Sequence, residues 1–190
     1  MQFTWETFVV SSLGGVVAAL LTQLITFLRD NDKIRRDREY SALRVALVLE
    51  RYASACHSHI MVVHGDFEKG KRDGNYIIPS IDAYPDGIDW RHIDIKISDD
   101  ALSIPHKIEN IRSKNYFESI YENNDYGSEV DSAFIGVDAY AIACRLREKY
   151  GLPKNENEQP HIVEMRKQNA LILKRRQEFA MKKESKLARD

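Results

Sequence analysis

The feature that most constrains this chain is an uncharged run from Phe8 to Leu28, FVVSSLGGVVAALLTQLITFL. Trp5 and Glu6 precede it, and Arg29 and Asp30 close it. An apolar run of about 20 residues is long enough to cross a bilayer core as a helix. Gly14-Gly15 would weaken a helix in water, but in lipid a helix is the open-chain form that satisfies its own backbone. A secretory signal would need a basic leader and a small-residue cleavage site after a shorter core. Here no Lys or Arg precedes Arg29, and TQLITFLRD offers no such site. A buried core helix is the remaining competitor. The run is read as a single transmembrane helix within residues 1–28, followed by a domain over residues 29–190.

Charge sets the orientation. Residues 1–6 carry no Lys or Arg, whereas Arg29, Lys33, Arg35, Arg36 and Arg38 follow the run closely. The positive-inside rule places the N-terminus outside and residues 29–190 in the cytoplasm. Gln23 lies at lipid depth and should face a partner helix or an aqueous groove. Ser11, Gly15 and Ala19 recur every four residues, and so do Gly14 and Ala18. That spacing lets helix backbones approach closely, through self-association or on another membrane protein.

Beyond the run, about 160 residues suffice for one domain with a core. The overall net charge of −1 conceals segregation. Residues 82–138 hold thirteen acidic and five basic side chains, and residues 166–190 hold nine basic and three acidic ones. Such asymmetry suggests that different faces meet different partners. Lys182, Lys183, Lys186 and Arg189 lie in the basic tail and suit an anionic lipid surface. Nucleic acid would have to approach a like-charged bilayer to use that tail, which disfavours it.

Periodicity predicts a mostly α-helical domain, a bundle of about four helices. Val45, Leu49, Tyr52, Cys56, Ile60 and Val63 form one apolar stripe on a long first helix ended by Gly65. Residues 65–104 form a long connection punctuated by Gly70, Gly74, Pro79, Pro85 and Gly87. His92–Ile97 alternates like a strand but lacks a partner, so ordered coil is expected there, or a minor hairpin with Tyr76-Ile77-Ile78. Ser98 is the expected cap of a short helix to Ile104, and Pro105 the first residue of the next. Val130, Phe134, Val137, Ala141 and Cys144 mark the buried stripe of a helix over 129–150, stopped by Gly151 and Pro153. Pro160 opens a final basic helix, 160–190, with Ile162, Met165, Ile172 and Phe179 on one face.

Asp89-Trp90, the turn Ile104-Pro105-His106-Lys107-Ile108 and the segment Leu146–Pro153 (LREKYGLP) resemble a group of small uncharacterised bacterial proteins. Those have one N-terminal span and a cytoplasmic helical domain. The resemblance implies the same architecture here, in a bacterial inner membrane, and implies no activity and no site residues.

No constellation outweighs its structural explanation. Cys56, His57, His59 and His64 cluster in sequence, but only Cys56 and His59 share a face, and no matching pair follows for a metal. Cys144 is explained by packing on its stripe. The acidic DAYPDG segment lacks EF-hand spacing. Asp99 and Asp100 suit a helix N-terminus. No cofactor, metal or catalytic residue is assigned. The expected function is a membrane-anchored, non-enzymatic interaction or adaptor subunit, oligomeric through its span, in a phage-related or envelope-stress setting. The alternative is a membrane-tethered effector enzyme or toxin with its site in the 65–104 connection.

Overall fold

The computed structural model describes residues 5–69, 77–121, 127–153, 160–171 and 174, with the side chains of 5–19, 67–68, 118–121 and 127 excepted. The chain forms α1 (Trp5–Glu68), a 3-10 turn (Trp90–His92), α2 (Ile95–Tyr121), α3 (Gly127–Lys149) and α4 (160–171). It is mostly helical, and no strand occurs among the described residues, as a helical bundle requires. The chain divides into two compact units, Met1–Tyr40 and Ser41–Asp190.

The first unit is the N-terminal part of α1. Every described residue from Leu20 to Arg38 is exposed, including Leu20, Leu21, Leu24, Ile25, Phe27 and Leu28. Among the described residues no helix is long and apolar enough to cross a membrane. The described side chains of the uncharged run are those of Leu20–Leu28, which at 1.5 Å per residue cover roughly 14 Å.

The second unit holds the core. Its α1 stripe is the expected one: Val45, Leu49, Tyr52, Cys56, Ile60 and Val63 are all buried. Gly65 does not end α1, which continues to Glu68. A glycine inside a helix costs only about 1 kcal/mol.

Three expectations about α2 are corrected. Neither a strand nor a coil occupies residues 95–97, because α2 already begins at Ile95. Ile93, extended just before the cap, and Ile97 in the first turn of α2 are both buried, while Ile95 between them is 81% exposed, so the alternation comes from a helix start and not from a strand. The cap is Asp94, not Ser98: its Oδ1 accepts from the amides of Lys96 and Ile97 at 3.0 and 3.3 Å. Pro105 lies inside α2 rather than opening a new helix. A proline there leaves the carbonyl four residues back without its helical donor. That carbonyl belongs to Ala101, and the Tyr84 hydroxyl donates to it at 2.7 Å.

The buried face of α3 is also not the expected one. Val130, Phe134 and Val137 are only half-buried, and Ala141 and Cys144 are exposed. The buried residues are Ser128, Ser132, Ala133, Ile135, Gly136, Ala139, Tyr140, Ile142, Ala143 and Leu146. Small side chains dominate because α3 approaches α1 closely. A Cβ on Gly136 would stand 2.8 Å from Cys56 Cβ and 3.2 Å from Met165 Sδ.

The stop of α3 is as expected. Gly151 takes φ +61°, Leu152 N–H reaches Arg147 O at 2.9 Å, and Gly151 N–H reaches Glu148 O at 3.4 Å. This is the Schellman closure, which favours glycine at its left-handed position. On α4, Ile162 and Met165 are buried, while Asn169 donates from Nδ2 to Ala133 O at 3.1 Å. Residues 175–190 lie outside the described ones, and so do the side chains of Ile172 and Phe179.

Candidate functional site

The polar groups of the second unit concentrate at the end of α3, in the LREKYGLP segment. Leu146 is fully buried and fixes the register of that helix end. Arg147 Nε and Nη2 donate to the two Glu50 carboxylate oxygens at 2.6 and 2.9 Å. The two side chains are only 13% and 10% exposed. The planar guanidinium matches a carboxylate in this two-pronged way. Arg147 Nη1 also donates to Pro153 O at 2.8 Å. The hydrogen bond to the Glu50 carboxylate raises the Arg147 pKa.

The next residues of the segment hold the start of α2. Lys149 pairs with the Asp94 carboxylate. That pairing, together with the Ile97 amide, lowers the Asp94 pKa. The Tyr150 hydroxyl accepts from the Asp94 amide at 2.7 Å and donates to His92 O at 3.4 Å. Beside it, Asp89 caps the 3-10 turn and pairs with Arg91, and that hydrogen bond lowers the Asp89 pKa to about 2. One short segment therefore ties α3 to α1 and to the start of α2, and closes on its own end at Pro153. Its donors and acceptors are spent on one another, which is what an architectural clamp needs.

The connection before α2 is bound in a similar way. Arg112 donates to Ile78 O at 2.9 Å and to Glu109 at 3.1 Å, and Arg44 donates to Asp86 O at 3.0 Å. Ile81, Tyr84, Ile88 and Trp90 pack against the core, and the rings of Tyr84 and Trp90 meet edge to face at 5.3 Å. A cleft of about 280 Å³ opens between Ile81, Pro105, Ile108 and Arg112. It falls at the small end of ligand pockets, and its cation is already engaged.

The histidines do not converge. His57 faces His161 of α4, with ring centroids 5.4 Å apart. His64 Nε2 meets Glu129 at 2.6 Å. His59 is half-buried, and burial lowers its pKa. Among the described residues no three His, Cys, Asp or Glu side chains are grouped to hold a metal. Ser54 Oγ lies 3.2 Å from His161 Nε2, an arrangement that could suggest a nucleophile. However, the Ser54 hydroxyl donates to Glu50 O at 3.1 Å, so its proton is directed away from the imidazole.

The cysteines are equally quiet. Cys56 is fully buried, and burial pushes its pKa up to about 12. Cys144 is exposed, not packed on a stripe as expected, and desolvation raises its pKa too. Reactive thiols need the opposite shift.

The residues that the sequence leads one to expect at a membrane fall in three groups. Ser11, Gly14, Gly15, Ala18 and Ala19 lie on α1, with side chains outside the described ones. Gln23, Arg29, Lys33, Arg35, Arg36 and Arg38 are exposed along α1. Arg35 stands 3.6 Å from Asp32 and 3.7 Å from Glu39, so this basic segment is partly neutralised by its own acids. Lys182, Lys183, Lys186 and Arg189 lie outside the described residues. Sequence reasoning missed the clamp. LREKYGLP stands out as a segment, but nothing local to it names Glu50 and Asp94 as its partners.

No family model matches the chain, and no curated protein and no solved structure matches it.

Proposed function

We propose that the protein is a membrane-anchored, non-enzymatic interaction subunit. In this reading residues 8–28 form a single span, the N-terminus is outside, and the domain projects into the cytoplasm. The observation that carries it is the exposed apolar surface at Leu20, Leu21, Leu24, Ile25, Phe27 and Leu28, each at least 54% accessible, on a helix whose preceding residues are also uncharged. Contiguous apolar surface of this kind marks contact with a membrane or a partner. Charged residues follow at once, as they do at a cytoplasmic interface.

The rival enzyme reading gains no support from the connection. Over residues 77–94, Ile81, Tyr84, Ile88, Trp90 and Ile93 pack in or against the core, Ile77 is exposed, and the engaged polar groups hold backbone groups or each other. Partners in the preferred reading are lipid, a second copy or another membrane protein. Ser11, Gly14, Gly15, Ala18, Ala19 and Gln23 are the candidate contacts within the span, and the basic tail is a candidate lipid contact. A phage-related or envelope-stress setting is one in which small anchored proteins of this kind work, and it rests on the anchored architecture alone.

Topology reporters test this reading. A reporter that works only in the cytoplasm should be active when fused after Asp190 in a bacterial host. Activity of a periplasm-only reporter at that position would overturn the orientation.

A further inference from the structure

The exposed part of α1 carries a seam. Leu20, Leu24, Phe27, Asn31, Ile34 and Arg38 are separated by four, three, four, three and four residues, which places all six on one face of the helix. All six are exposed: Leu20, Leu24 and Phe27 by 54–63%, Ile34 by 38%. In the sequence the same spacing runs back through Val10, Leu13 and Val17. From Ser41 onward the helix buries its apolar stripe within the second unit, so the exposed seam stops at Arg38.

We infer that this face is occupied by a second copy of the chain, as a parallel, in-register two-stranded coil over Leu20–Arg38. This rests on the proposed membrane reading only for its setting, because the seam is defined by α1 itself. Three features select the occupant. The seam alternates in the heptad pattern that makes helices of one sequence pack knobs into holes. Asn31 falls at a position of the same class as Leu24, where a single polar residue pairs with its own copy and fixes register and strand number. The flanks are complementary in charge: Asp30 of one helix falls opposite Arg35 of the other in a parallel pair, five residues on. In an antiparallel pair Asp30 would meet Asp30. Arg35 can exchange partners, because its contacts to Asp32 and Glu39 are long and its side chain is 68% exposed.

The seam also discriminates between two interfaces. Helical spacing sets Ser11 and Gly15 on the same side of α1 as Arg29, Lys33 and Arg36, opposite Leu24 and Ile34. Association through the small residues and association through the seam therefore bring different positions together.

The test uses the full chain purified in detergent, with exposed Cys144 replaced by Ser. Single cysteines are placed at Leu24→Cys and Ile34→Cys on the seam, and at Lys33→Cys and Arg36→Cys opposite it. Mild oxidation should give covalent dimer at the first two and little at the others. Asp30→Lys should reduce the Ile34→Cys dimer, and adding Arg35→Glu should restore it. Preferential cross-linking at Lys33 and Arg36, uniform yields, or no dimer at any position would overturn the seam. Alkaline extraction of the same chain from membranes reads the anchoring separately, so a failure of one proposal is distinguishable from a failure of the other.

Discussion

At the scale of single residues, the fold depends most on the absence of a side chain. Gly136 lets α3 meet α1 at Cys56, and the first atom a new methyl would strike is a β-carbon held directly by the backbone. Gly136→Ala should therefore destabilise the domain by about 1–3 kcal/mol, as overpacking does. A urea midpoint equal to wild type would contradict the contact. Histidine supplies a second prediction. Burial lowers the pKa of His59, and burial with the neighbouring His57 lowers that of His161. In both, the folded pKa lies below the unfolded one, so the unfolded state binds more protons in the window between them. Stability should be full above about pH 6.5 and decline as pH falls through the folded values. Asp89 and Asp94 have lowered pKa values, so their contributions are lost only at more acid pH. Denaturation midpoints measured from pH 8 to pH 5 should fall, and His161→Gln should remove part of the slope. A flat profile over that range would refute the assignment.

At the scale of elements, two devices hold the helices. Arg147 and Glu50 join α3 to α1 through a nearly buried bidentate pair. Arg147→Ala would strand a buried carboxylate and should cost roughly 3–5 kcal/mol, whereas Glu50→Leu with Arg147→Met should recover much of it. Equal losses in the single and double variants would show that the pair is not what matters. Tyr84 and Pro105 are coupled through the Ala101 carbonyl. Tyr84→Phe leaves that carbonyl without its donor, at a cost of about 1–3 kcal/mol. Pro105→Ala supplies a backbone N–H to the same oxygen, so it should offset the Tyr84→Phe loss, and strictly additive effects in a double-mutant cycle would count against the coupling. These elements also show what the sequence disclosed. The α1 stripe was legible because Val45, Leu49, Tyr52, Ile60 and Val63 are large and regularly spaced. The α3 face was not, because a close helix contact buries Ala and Gly, and the larger Phe134 and Val137 drew the reading to the wrong side. The start of α2 was misplaced because an i, i+4 isoleucine pair with one exposed isoleucine between mimics a strand. The clamp partners of LREKYGLP lie as far as 97 residues away in sequence, where no local pattern reaches.

At the scale of the whole molecule, the uncharged run and the first buried stripe of the domain belong to one helix, α1. In the proposed reading two segments address lipid: the run itself, and the basic stretch with Lys182, Lys183, Lys186 and Arg189. If the tail meets anionic headgroups, each charge close to the surface is worth about 1 kcal/mol. Changing those four residues to Gln should weaken binding to anionic vesicles and reduce its dependence on salt, and unchanged binding would remove the tail from the interface. Alkaline extraction of cell membranes reads the anchor itself. The full chain should stay in the alkali-washed membrane pellet, while a chain lacking residues 1–28 should leave it. Recovery of the full chain in the alkaline supernatant would contradict the account.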